Sequence, residues 1–162
     1  VPLGSFHYLA GDADPDETVR TAAEKIAAIS VDVALVGIGE NSHLAFNDPP
    51  ADFETEDPYL IVELDQECRR QQVGEGWFAS IAEVPTHAIS MSVKQILKSK
   101  IIYCSVPDER KSTAVRDTLT QPISPEFPAS ILRQHAAATL VVDQAAASQI
   151  PSSVRETLER LA

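Results

Sequence analysis

Basic residues and cysteines are scarce in this chain, and each scarcity closes off a class of function. Of 162 residues only 13 are Lys or Arg, against 24 Asp or Glu, so the formal charge is −11. Such a surface offers no phosphate track, and binding to nucleic acid or to an anionic membrane is not expected. An anionic ligand would have to be held by a local device. The 2 cysteines, Cys68 and Cys104, lie far apart and have no CxxC partner or nearby histidine cluster. Neither a disulfide framework nor a metal site is indicated, and both are expected to be inert thiols. No apolar run approaches the roughly 20 residues that span a bilayer, and the opening residues do not read as a signal peptide. A soluble, cytoplasmic protein is the expectation. Aromatics are only 6% of the chain. Trp77 and Phe78, beside Gly76, suggest a lid or subunit contact rather than a base-stacking platform, because the acidic chain offers no phosphate track.

What is present is a core-forming composition, 44% hydrophobic, at the length of a single domain over 1–162. Phe6 to Leu9 is apolar and aromatic and predicts a short strand before the turn-rich Ala10-Gly11-Asp12-Ala13-Asp14-Pro15. Over 16–29, Val19, Ala22, Ala23, Ile26 and Ile29 recur at helical spacing behind an acidic start. The β-branched run 31–36 predicts a buried parallel strand that ends at Gly37. A surface loop over 48–57, a strand over 59–64, and strand or helix over 87–93 follow. A helix over 92–99 and a strand over 100–106 come next, then a helix over 109–119 and a short helical piece over 130–134. A strand over 138–142 and a polar C-terminal helix complete the pattern. Strands alternating with helices imply a mainly parallel α/β sheet with right-handed crossovers.

In such sheets ligands bind beyond the carboxyl ends of strands, where backbone N–H groups are free. The loop 37–49 qualifies. Gly37 and Gly39 permit close backbone approach, and His43 sits near Asp48 and the amides of Asn41 and Asn47. Histidine titrates near neutral pH, and a carboxylate such as Asp48 can fix its tautomer. A hydrogen-bonded loop histidine fits the same spacing, and GxG without a third glycine is not a dinucleotide fingerprint. The turn 105–111 also qualifies. Arg110 and Lys111 at a helix start oppose the helix dipole, which an anion such as phosphate at that end would explain; a solvated charged turn is the plainer alternative. His7, His87 and His135 have no ligand spacing and read as structural.

Val36-Gly37-Ile38-Gly39-Glu40-Asn41-Ser42-His43-Leu44-Ala45-Phe46-Asn47-Asp48-Pro49 closely resembles the signature of glucosamine-6-phosphate deaminases, roughly GxGxDGHIAFNEP. Further likenesses follow in family order. Glu83-Val84-Pro85-Thr86-His87-Ala88-Ile89-Ser90 is similar to a VPxxALT segment. Glu109-Arg110-Lys111 with Ala114-Val115 is similar to a basic phosphate loop. Pro122-Ile123-Ser124-Pro125 and Pro128-Ala129-Ser130-Ile131-Leu132-Arg133-Gln134-His135 resemble a proline-rich stretch. The related 6-phosphogluconolactonases usually continue the first motif with ASLFP, so Ala45 to Pro49 favours the deaminase branch.

The resemblance implies a Rossmann-like, doubly wound α/β fold of which this chain is the C-terminal portion. It implies ring opening, aldose to ketose isomerisation and ammonia release from an amino-sugar phosphate such as glucosamine 6-phosphate. His43 would be the ring-opening acid/base, with Asp48 and Asn41 in its relay. Gly37, Gly39, Asn47, Lys111 and Arg110 would contact substrate, Lys111 at the phosphate. No cofactor is implied. The expected partner is a small sugar phosphate, and a homo-oligomer is left open. Three departures stand out. Asn41 replaces a relay aspartate. The segment 73–78 lacks a second phosphate arginine, for which Arg69 or Arg70 would have to substitute. No SGGSTP-like phosphate loop or Asp-Glu-Tyr carboxylate occurs in the chain. The alternatives are a 6-phosphogluconolactonase-like hydrolase and a non-catalytic sugar-phosphate-binding domain.

Overall fold

The computed structural model describes residues 4–157. Its elements run α1 (Pro15–Ala27), β1 (Val33–Val36), β2 (Tyr59–Glu63), α2 (Gln66–Gly74), β3 (His87–Met91) and α3 (Val93–Leu97). They continue with β4 (Ile101–Val106), α4 (Ser112–Thr120), β5 (Ala138–Val142) and α5 (Ser152–Arg155). Turns of 3₁₀ helix, Glu109–Lys111 and Pro128–Gln134, lead into α4 and towards β5.

β1, β4 and β5 form a parallel sheet in the order β1-β4-β5. Val36 lies opposite Cys104, and Cys104 opposite Leu140. Parallel pairing at this register brings the carboxyl ends of β1 and β4 to one edge, so the loop 37–49 and the turn 107–111 leave the sheet side by side. β4 alternates strictly, as a strand with two different faces must. Ile102, Cys104 and Val106 are buried, and they pack with Val93 and Ile96 of α3 and Val115 of α4. Each large apolar side chain taken from water there contributes about 1.5–3 kcal/mol. The other face shows Val33, Leu35, Ile101 and Tyr103 to solvent, and Leu35 is 80% exposed. Parallel sheets are ordinarily covered on both faces; here one is.

The alternating order appears as expected, with four differences. β1, expected to be buried, is not: Val33 and Leu35 are exposed, because one face of the sheet is uncovered. β2 and β3 are antiparallel and form a separate pair, Tyr59 opposite Met91. Residues 6–9 form no strand: Phe6 and Tyr8 stack edge to face at 4.3 Å but remain exposed, and no strand lies alongside to complete a ladder. α2 was not expected, because QECRRQQVG buries only Cys68 and has little apolar periodicity. Its start is nevertheless firm, since Asp65 caps it by accepting from the Cys68 N–H at 2.6 Å. The C-terminal helix is seen as α5, and its expected continuation past 157 lies outside the described residues. No helix among the described residues is long and apolar enough to cross a membrane.

Candidate active site

The loop after β1 folds back on itself. Ile38 bridges Leu44, Leu44 bridges Asn47, and the fully buried Leu44 pins the loop to the core. The Gly39 N–H donates to the His43 carbonyl at 3.0 Å, and the Ser42 carbonyl accepts from the Ala129 N–H at 3.0 Å. Ser42 and Ala45 hold left-handed φ values of 69° and 54°, conformations that cost a non-glycine residue about 1–3 kcal/mol and persist only where the surroundings dictate them. Gly39 explains itself: any Cβ there would collide with the His43 imidazole, which lies directly over it. A Cβ on Gly37 would meet only the Ser105 carbonyl at 3.6 Å, an ordinary contact, so packing within the chain does not demand glycine there.

His43 is 6% exposed. Its Nδ1 lies 3.1 Å from Asp48 Oδ1, within ion-pair reach but poorly aligned, and Nδ1 has no other partner among the described residues. Nε2 forms no hydrogen bond there either, yet it is not sealed from solvent as Nδ1 is. A proton on Nδ1 would point to the carboxylate and leave the Nε2 lone pair open. Asp48 in turn accepts from Asn41 Nδ2 at 3.0 Å and from the Asp65 N–H at 3.1 Å. Burial pushes the Asp48 carboxyl up, but the adjacent His43 imidazole and the hydrogen bonds from Asn41 and the Asp65 backbone outweigh it and hold the group below its ordinary value. It is a carboxylate at neutral pH.

Asn41 does not touch the imidazole. Its amide nitrogen bridges Asp48 and Asp65, at 3.0 and 2.8 Å, while its oxygen accepts from the His43 N–H at 3.1 Å. An aspartate could not donate to either carboxylate, so the departure at 41 is matched by Asp65, a residue that spacing did not single out. Cys68 is a second such residue. Its thiol lies within 4.8 Å of both His43 and Asp48, although no histidine is near it in sequence. Burial, then the charges of Asp48 and Asp65, push its pKa up to about 12, so it is a neutral thiol; burial alone does the same for Cys104, again to about 12.

Other expectations are redistributed. Asn47, expected at the substrate, is 4% exposed, and its amide nitrogen is committed to the Leu44 carbonyl at 2.7 Å, Ser90 Oγ at 3.2 Å and the Met91 carbonyl at 2.9 Å. It clamps the loop to β3 instead. Arg69 donates to the carbonyls of Ile81 and Val84, at 2.8 and 2.9 Å, and Arg70 donates to Gln66 at 3.2 Å; neither is paired with Lys111 or its partner Glu75. Arg110, also expected at substrate, folds back onto Asp108 through Nε and Nη2 at 3.1 and 2.8 Å. Lys111 is buried, and its ammonium lies 3.3 Å from Glu75 Oε1. His135 is structural: Nε2 meets the Ser99 carbonyl at 2.8 Å and Nδ1 accepts from the Ala137 N–H at 3.2 Å. A hollow of about 660 Å³ runs beside Asp48, lined by Phe46, Asp65 and Arg69 among others. A second hollow, of about 620 Å³, lies between α1, Leu9 and Tyr59, away from the site loop. His43 and Lys111 line neither; a hydrogen-bond chain to Lys111 starts instead at Glu40, the residue after Gly39. The Glu40 N–H donates to Gln71 Oε1 at 3.0 Å, and Gln71 Nε2 donates at 2.8 Å to the Glu75 carboxylate that holds Lys111.

No protein-family model matches the chain. Individual proteins do. Glucosamine-6-phosphate deaminase of Exiguobacterium sibiricum is 33% identical over 157 residues, 97% of this chain and 58% of that one. The deaminase of Clostridium acetobutylicum is 39% identical over 120 residues, 74% of this chain and 48% of that one. Among solved structures, a monomeric glucosamine-6-phosphate deaminase, described as a missing link of the NagB superfamily, matches with a TM-score of 0.76 at 34% identity. That match covers 83% of this chain and 55% of the other. A 6-phosphogluconolactonase from Trypanosoma brucei matches with a TM-score of 0.63 at 14% identity, over 84% of this chain and 54% of that one, which shows a common fold and no more. This chain therefore spans about half the length of these relatives. By sequence and by fold, it belongs to the glucosamine-6-phosphate deaminase family, within a wider fold group that includes the 6-phosphogluconolactonases.

Proposed function

We propose that this chain supplies the ring-opening machinery of a glucosamine-6-phosphate deaminase. The observation that carries it is His43, held over Gly39 with Nδ1 3.1 Å from the Asp48 carboxylate at the carboxyl edge of a parallel sheet. With Nδ1 protonated, Nε2 takes the proton of the anomeric hydroxyl. The bond between carbon 1 and the ring oxygen breaks, and the same nitrogen returns the proton to that oxygen. Asp48 stabilises the imidazolium in between. Lys111 is the contact for the phosphate end. Isomerisation next needs a base for the proton on carbon 2, and the Asp-Glu-Tyr carboxylate that the resemblance implies is not in this sequence. Ring opening is thus the step these residues account for, and a soluble cytoplasmic setting goes with it.

Ammonia release from glucosamine 6-phosphate by the full-length protein is the test. His43→Gln should lower the rate by about 10²–10⁴-fold, the usual contribution of a positioned acid/base group. A variant as fast as the parent would remove His43 from the mechanism. Lactone hydrolysis without ammonia release would move the protein to the lactonase branch.

A further inference from the structure

The phosphate end of the site already holds an anion. Lys111 has only 11% of its side chain exposed, and Glu75 Oε1 stands 3.3 Å from its ammonium. Glu75 follows directly on α2, in the segment 73–78 where the resemblance leads one to expect an arginine. Its carboxylate is clamped from three sides: by Lys111, by Gln71 Nε2 at 2.8 Å, and by the Trp77 indole N–H at 3.3 Å. Gln71 is itself fixed, because its oxygen accepts the Glu40 N–H at 3.0 Å. Burial raises the Glu75 carboxyl, but its partners Gln71, Lys111 and Trp77 outweigh that and hold it ionised. The neighbouring cation gives no relief, since Arg110 is paired with Asp108 at 2.8 Å and has Glu40 at 4.0 Å. Two cations thus face three carboxylates. Among the described residues a dianionic phosphate arriving here meets no surplus of positive charge, and it has to displace Glu75 before it can reach the lysine.

We propose that Glu75 is a specificity-determining residue, an internal anion that fills the Lys111 subsite and competes with the phosphate of a ligand, so that the site holds an amino-sugar phosphate less tightly than Lys111 alone would. The inference rests on the reading that Lys111 faces the phosphate end of the substrate. It deepens that reading, because a carboxylate in place of an arginine changes the local charge by two units and penalises the ligand with the larger negative charge.

Calorimetric titration of the full chain with glucosamine 6-phosphate and with glucosamine tests it. Glu75→Gln keeps the shape and removes the charge. It should tighten glucosamine 6-phosphate about tenfold or more, in line with charge-assisted hydrogen bonds, and leave glucosamine unchanged. Adding Lys111→Met should abolish that gain. If Glu75→Gln does not tighten the sugar phosphate while Lys111→Met weakens it, the competitor role is lost and the Lys111 reading survives. If Lys111→Met changes nothing in either background, that reading falls and takes the proposal with it. Glu75→Ser, neutral and smaller, is held to the same criteria should Glu75→Gln not fold. Absence of binding by every variant overturns both statements.

Discussion

Two corners of one sheet edge, the His43 loop and the Lys111 turn, are built on opposite principles. Around His43 the polar groups are buried and bonded inward: Asp48 accepts from Asn41, from the Asp65 backbone and faces the imidazole, while Asn41 also binds Asp65. Around Lys111 the charges outnumber the neutral donors, and several stay at the surface, with Arg110 and Asp108 47% and 43% exposed. The first corner is fixed by hydrogen-bond geometry, which strengthens in a low-dielectric setting. The second is fixed by charge pairing, which solvent and salt weaken. A buried, hydrogen-bonded histidine–carboxylate pair therefore sits on the same sheet edge as a lysine held by ion pairs, the proposed proton-transfer centre and phosphate subsite. That arrangement would let substrate choice drift while ring opening is kept.

Substitutions can break this contrast, and their expected sizes fall in a definite order. Asp48→Ala should cost the most, about 3 kcal/mol by urea denaturation, because it takes one of two acceptors from the Asn41 amide and leaves the Asp65 N–H and His43 Nδ1 facing none. Asn41→Asp restores the family's residue and puts a third carboxylate against Asp48 and Asp65. It should destabilise by about 2 kcal/mol at neutral pH, and a neutral or stabilising effect would show that Asp65 can turn away. Gly39→Ala should cost about 1 kcal/mol in stability but far more in turnover, since the added methyl displaces the imidazole; a displacement of that kind costs about 10²-fold. Acid should reveal Asp48. Its pKa is depressed on folding, so its contribution is complete above the unfolded carboxyl value of about 3.9 and disappears as pH falls through the lower folded value. Asp48→Asn should lose that part of the acid sensitivity in a pH series of melts. Arg110→Gln should do least, with no measurable change in melting temperature, as its ion pairs are exposed.

Much of this was legible in the sequence because it is local. The β-branched run before Gly37, the two glycines around Ile38, and the spacing of His43 to Asp48 all lie within one strand and one loop, where steric rules act over a few residues. Ile102, Cys104 and Val106 declared a buried strand by composition alone. Other features were hidden because they depend on partners far along the chain. Asn47 became a clamp because Ser90 and Met91 arrive from β3. Arg69 was claimed by the carbonyls of Ile81 and Val84. α2 escaped notice because its polar sequence buries only Cys68, and with it went Gln71, Glu75 and the thiol beside His43. The available signal was Asp65 before Gln66-Glu67-Cys68, an acidic cap followed by an acidic first turn. Phe6 to Leu9 has strand composition, but strand formation needs a neighbour that composition does not supply.

The account turns on the proton between His43 and Asp48, which nitrogen-15 correlation spectra of the imidazole can place directly. At neutral pH the neutral ring should carry its proton on Nδ1, with Nε2 bare, and Asp48→Asn should disturb that preference. A ring protonated on Nε2 in the parent protein, or one whose tautomer ignores the change at 48, would contradict the account.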